Sequence, residues 1–104
     1  MTRNAFKMKL KPGCAVEYKR RHDELWPALA TALRSAGVYD YSIFLDEETL
    51  TLFAVQKLAA GQTADRLPDL PIVRQWWDSM APLMETHPDK SPVCFPLREV
   101  FHLE

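Results

Sequence analysis

The chain is poor in cysteine, has no long apolar run and carries no excess of either charge, and each shortage closes off a class of protein. Cys14 and Cys94 are its two cysteines. They lie far apart and outside any CxxC spacing, so neither a disulfide framework nor a zinc site is expected, and both read as free thiols. No stretch approaches the roughly 20 apolar residues that a membrane span requires. The opening "MTRNAFKMKL" lacks the apolar centre of a secretion signal, and the expectation is a cytoplasmic protein with no membrane partner. Thirteen Lys and Arg against fourteen Asp and Glu leave a formal charge of −1. No basic run interleaves with aromatics, which argues against a nucleic-acid partner. Internal repeats, low-complexity tracts and linkers are missing too, so residues 1–104 read as a single domain.

What the chain does have is a sequence of changes in hydrophobic period, in a composition (47% hydrophobic, 26% charged) that supports a packed core. Phe6, Met8 and Leu10 alternate with Lys7 and Lys9, the period of a strand, until Pro12 and Gly13 interrupt it. From Cys14 to Ser35 the spacing is helical, with Tyr18, His22, Leu25, Trp26, Leu29 and Leu33 at steps of three and four. This predicts one helix, kinked at Pro27 and stopped at Gly37. "YDYSIFL" sets Tyr39, Tyr41, Ile43 and Leu45 against Asp40, Ser42 and Phe44, and "LTLFAVQKL" resumes after the charged turn "DEET"; together they predict a hairpin. "AAGQTADRLPDLP" is a turn-rich loop with room for a helical turn. A second helix starts at Pro71 and is kinked or ended by Pro82, and the tail "LREVFHL" reads as a last strand.

Strand, helix, strand, strand, helix, strand is the order of an α+β ferredoxin-like split fold, βαββαβ, with an antiparallel sheet. Its two helices pack on one face of the sheet. In "LTLFAVQKL" the residues from Leu52 to Val55 are apolar on both faces, so the second face also needs a cover. A second copy is expected there, making a homodimer whose two sheets close as a dimeric α+β barrel.

One titratable ring stands out. In "YKRRHDELWPAL", His22 lies four residues after Tyr18 and four before Trp26, so helical spacing turns it toward the apolar side. A lone histidine there is readily explained as a core residue satisfied by a carboxylate or a carbonyl. Tyr18, Tyr41, Trp76 and Trp77 change the weighing, because each attaches a polar tip to an aromatic body, and together they describe a small-ligand pocket. Adjacent residues on a helix are about 100° apart, so one of the two tryptophans is available for the core or a dimer contact. His87 and His102 read as exposed, and no metal site is expected, since no Cys, His or Asp stands near them at ligand spacing. The cluster by itself selects no reaction.

"YKRRHDELWPAL", "YSIFLD", "RQWWDSM" and "HPDKSPV" taken together resemble the L-rhamnose mutarotase family, over nearly the whole chain from Phe6 to the terminal "LREVFHL". The resemblance implies a dimeric α+β barrel that interconverts the anomers of L-rhamnose without a cofactor. It further implies that His22 donates the proton and that Tyr18, Tyr41, Trp76 and Trp77 contact the sugar. The chain departs from the family in "LAAGQTADRLPDLP", where relatives tend to carry a short helix with a tryptophan. Dimeric α+β barrels also include cofactor-independent monooxygenases and heme-binding proteins. Fold alone therefore leaves those readings open, along with a non-catalytic binding module.

Overall fold

The computed structural model describes residues 2–104. The alternating segment around Phe6 becomes β1 (Thr2–Lys9), and the hairpin becomes β2 (Val38–Asp46) and β3 (Thr51–Leu58). The double-tryptophan segment becomes α3 (Pro71–Met80), which a short 3-10 turn at Ala81–Leu83 terminates around Pro82. A final short strand, β4 (Phe95–Leu97), completes an antiparallel sheet in the order β2-β3-β1-β4. This is the expected α+β split topology. No helix of the described residues is long and apolar enough to cross a membrane.

Two expectations about the elements fail. The region from Cys14 to Ser35 is not one kinked helix but two, α1 (Ala15–Asp23) and α2 (Pro27–Ser35). Pro27 has no N–H to donate and forces the residue before it out of the helical region, and Trp26 is extended at φ −60°, ψ 128°. Pro27 then occupies the first turn of a new helix, where the missing donor costs nothing. The last strand also lies upstream of "LREVFHL": it is Phe95–Leu97, which shares only Leu97 with that segment. Ala5 pairs with Leu97, and by that register Thr2, where β1 begins, would face Val100. Residues beyond it have nothing on β1 to pair with, and 98–104 form no regular element. The segment before α3 holds a 3-10 helix at Ala64–Asp69, within the turn-rich loop and in keeping with its room for a helical turn.

Cross-strand register sorts the sheet into rows. On the inner face Leu45, Leu52 and Met8 make one row, and Ile43, Ala54 and Phe6 make the next. These rows pack against Tyr18, Met80, Leu83 and Met84, with Leu10 and Leu52 each only 1% exposed. Burying a leucine of that kind contributes about 1.5–3 kcal/mol. The outer face is largely apolar too, but bare: Phe44, Phe53 and Phe95 lie in one row, with Lys7 between Phe53 and Phe95, Val55 and Leu97 lie in another, and these five apolar residues are exposed. The two-sided apolar character of β3 is thus real, and only its inner side is covered within the chain.

A bulge interrupts β2. Ser42 pairs with Val55 and Tyr39 with Lys57, so Asp40 and Tyr41 together stand opposite the single Gln56. Asp40 absorbs the extra residue at φ 49°. Strict alternation predicts Tyr39 and Tyr41 on one face. The bulge instead sends Tyr39 outward with Lys57 and keeps Tyr41 on the inner face with Ile43.

Gly37 ends α2 at φ +88°, and its carbonyl accepts from the Ala59 N–H at 2.8 Å. A Cβ there would stand 2.8 Å from Cβ of Gln62. Gly37→Ala is therefore expected to cost about 1–3 kcal/mol from backbone strain and crowding. Thermal unfolding should show the midpoint falling by at least about 4 °C; an unchanged midpoint would contradict this account of the turn.

Candidate active site

A polar strap sets α1 against α3. Glu17 accepts from Nε of Arg20 at 2.8 Å and from Nε of Arg21 at 2.6 Å, and these bonds hold its carboxyl down at about 2. Arg21 reaches on to donate to the main-chain oxygen of Ser79, near the end of α3. With the two helices so joined, the inward face of α1 brings Tyr18 and His22 to the double tryptophan. The Tyr18 and His22 ring centroids are 4.3 Å apart, and the His22 ring meets Trp76 edge-on at 5.3 Å. Trp26 closes the group, edge-on to Trp76 at 5.2 Å.

The His22 ring is fixed in orientation and in tautomer. Its Nδ1 lies 2.9 Å from the Tyr18 carbonyl oxygen. A carbonyl can only accept, so Nδ1 carries the proton and the neutral ring presents Nε2 as an acceptor. Burial lowers the His22 pKa below its ordinary 6.5, outweighing the Tyr18 bond and the nearby Asp23 charge, which both raise it. The ring is thus neutral near pH 7.

Both tyrosines stay phenols. Burial is the main cause for each: it pushes Tyr41 up to about 12 and Tyr18 further still, and the neighbouring Cys94 adds to both. Tyr41 as a residue is 37% exposed, at the open side of the sheet. Neither tyrosine can act as a standing base near neutral pH, but each can donate or accept a hydrogen bond. Two nearby carboxylates on the rim are already engaged, Asp23 with Lys19 at 2.8 Å and Asp40 with Lys57 at 3.0 Å.

These side chains surround an open cleft of about 1550 Å³ between the helices and the inner sheet face. Phe6, Met8 and Ile43 give it an apolar floor, and Ala64–Asp69 contributes to its rim. All five residues singled out in the sequence, Tyr18, His22, Tyr41, Trp76 and Trp77, line this one cleft. Trp77 is less central than its neighbour. Arg74 lies over its ring at 5.2 Å, and it makes no ring contact with the His22 group among the described residues. Both cysteines are free thiols, and Cys94 also lines the cleft. His87 and His102 are exposed. Among the described residues no group of three His, Cys, Asp or Glu is placed to hold a metal ion.

Sequence reasoning misses two features of the site. Trp26, four residues after His22, reads as part of the apolar stripe, and its edge-on contact with Trp76 behind the cleft follows only from the break at Pro27. Gln56 and Asn4 also line the cleft. Their signal was a pair of amides among the apolar residues of the inner rows, and it required the β1–β3 register to be seen.

A family model described as L-rhamnose mutarotase matches residues 3–103. The chain belongs to the L-rhamnose mutarotase family. The L-rhamnose mutarotase of Jannaschia sp. (strain CCS1) is 54% identical over 99% of both chains, and that of Flavobacterium johnsoniae 54% identical over 98% of this chain and 95% of its own. The crystal structure of the Formosa agariphila L-rhamnose mutarotase superposes with a TM-score of 0.94 at 52% identity, covering all of each chain. Nothing in these matches supports a monooxygenase or a heme-binding protein. Membership extends across "LAAGQTADRLPDLP", the segment that departs from the family pattern, since the match to the family model runs through it.

The lowered His22 pKa has a measurable sign. The unfolded chain takes up the His22 proton at a higher pH than the folded one, so this residue contributes stability above pH 6.5 that is lost as pH falls from 6.5 toward the folded value. An NMR titration of the His22 ring should give a midpoint below 6.5. A midpoint above 6.5 would mean that burial does not dominate.

Proposed function

We propose that this chain interconverts the α and β anomers of L-rhamnopyranose, with His22 moving the proton and Tyr18, Tyr41, Trp76 and Trp77 holding the sugar. The observation that carries the assignment of roles is the bond from Nδ1 of His22 to the Tyr18 carbonyl, which leaves one exchangeable nitrogen in an aromatic cleft. Family membership supports the substrate and the reaction.

Ring opening removes a proton from the anomeric hydroxyl, breaks the bond between C1 and the ring oxygen, forms the aldehyde and places a proton on the former ring oxygen. Both oxygens are attached to C1, so one nitrogen can serve them in turn. Nε2 of neutral His22 takes the anomeric proton, directly or through a water, and delivers it to the ring oxygen. Rotation about the bond between C1 and C2 followed by the reverse steps gives the other anomer. A lowered pKa suits both halves, since the ring is neutral when it must accept and is a strong acid once it has. The steps call for no cofactor. The tyrosine hydroxyls and indole N–H groups bond the sugar hydroxyls, while the indole faces and the apolar floor take the methyl group.

His22→Ala is expected to fold and to lose at least about 10²-fold in anomer exchange, read by saturation transfer between the two anomeric protons of L-rhamnose. Near-normal exchange in the folded variant would remove His22 from the mechanism.

The homodimer belongs to the same reading. Phe44, Phe53, Val55, Phe95 and Leu97 form a bare apolar outer face, and Val100, Phe101 and Leu103 of the tail are each about 80% exposed. A single chain keeps so much contiguous apolar surface in water only at a cost, and a second copy would bury it. Sedimentation equilibrium is expected to give about twice the 12.0 kDa chain mass; a monomer at micromolar concentration would rule out the barrel.

A further inference from the structure

The inner face of the sheet changes character at one end. Its first two rows, Leu45–Leu52–Met8 and Ile43–Ala54–Phe6, are wholly apolar. In the third, Asn4 pairs directly with Gln56, and Tyr41, on the same side of β2 as Ile43, stands opposite Gln56 from the other side. Gln56 is the one buried polar residue of the described chain, at 7% exposed. Burying an amide on an otherwise apolar strand face costs free energy unless its groups are bonded.

One side-chain hydrogen bond within the chain meets part of that requirement, at the carbonyl end of the amide. Nδ2 of Asn4 donates to Oε1 of Gln56 at 3.0 Å, which fixes the Gln56 side chain across the sheet. The Asn4 bond is the side-chain hydrogen bond that Gln56 makes among the described residues, and Gln56 lines the cleft that holds His22. No buried side-chain nitrogen or oxygen of the described residues lacks a partner, so Nε2 of Gln56 is not sealed from the cleft and its donors are open to a ligand there. An amide does not titrate, so it can take no part in the proton transfer. What it can do is recognise an oxygen.

Resting on the functional reading above, we propose that Gln56, positioned by Asn4, is a specificity residue whose Nε2 donates a hydrogen bond to a ring hydroxyl of the bound sugar. With the Tyr41 hydroxyl it forms a polar end to the cleft, opposite the apolar floor that takes the methyl group. A site built to bond a hydroxyl in one orientation leaves its buried donor unpaired when that centre is inverted, which is the strongest discrimination a small pocket can make.

Two substitutions test this. Gln56→Met keeps the length and removes the donors, and Gln56→Glu removes them while keeping an acceptor for Asn4. Each is expected to raise KM for L-rhamnose about tenfold, the factor set by one net hydrogen bond of about 1.4 kcal/mol, with kcat changed less than about threefold. The preference for L-rhamnose over L-fucose, which differs at C2 and C4, should narrow by a similar factor. A purely structural amide would lower the melting temperature and leave KM and the sugar preference unchanged, and that result in either folded variant overturns the proposal. Absence of exchange in the unsubstituted protein would overturn the functional reading instead, and is seen before any variant is compared.

Discussion

The pairing register between β1 and β3 governs everything else in this molecule. Met8 opposite Leu52, Phe6 opposite Ala54 and Asn4 opposite Gln56 put two apolar pairs and one amide pair on the helix side of the sheet. A slip of β1 by one residue would turn Met8, Phe6 and Asn4 outward and bring Lys7 and Ala5 under the helices. The core, the cleft and the bare outer face are therefore consequences of a single alignment. They cannot be varied independently of it.

On this platform the site is built by local helix geometry. A side chain at position 22 reaches the carbonyl one turn back, and that short-range bond chooses the tautomer without help from any other element. The helix C-terminus and Asp23 favour a charged ring, yet burial beside Tyr18 and Trp76 prevails. The strap from Glu17 through Arg21 to Ser79 works at longer range. It lies on the surface and contributes little to stability as an ion pair, but it sets how closely α1 meets α3, and so how tightly the indole edge closes on the imidazole.

Much of this was legible in the chain itself. Alternation at Phe6, Met8 and Leu10, helical spacing through Tyr18 and His22, and the turn after Leu45 were enough for the topology. Five residues that line the cleft were visible as aromatic rings with polar tips. Three things were not legible. Pro27 can kink a helix or start one, and the choice depends on what Trp26 packs against. The β2 bulge is hard to see because Tyr39, Tyr41 and Ile43 alternate regularly across Asp40. Gln56 looks like any solvated strand residue until its neighbour Asn4 is known, because its role lies in a contact between residues 52 positions apart.

The break at Trp26 also decides which part of the molecule gives way first. Each of the two helices it leaves has nine residues, below the roughly 12–15 at which an isolated helix holds in water. Their order is borrowed from the sheet beneath them, whereas β1 and β3 pair along eight consecutive positions. Local opening therefore begins in the layer that carries His22. The Tyr18–His22–Trp76 arrangement can thus loosen while the sheet beneath it is still paired.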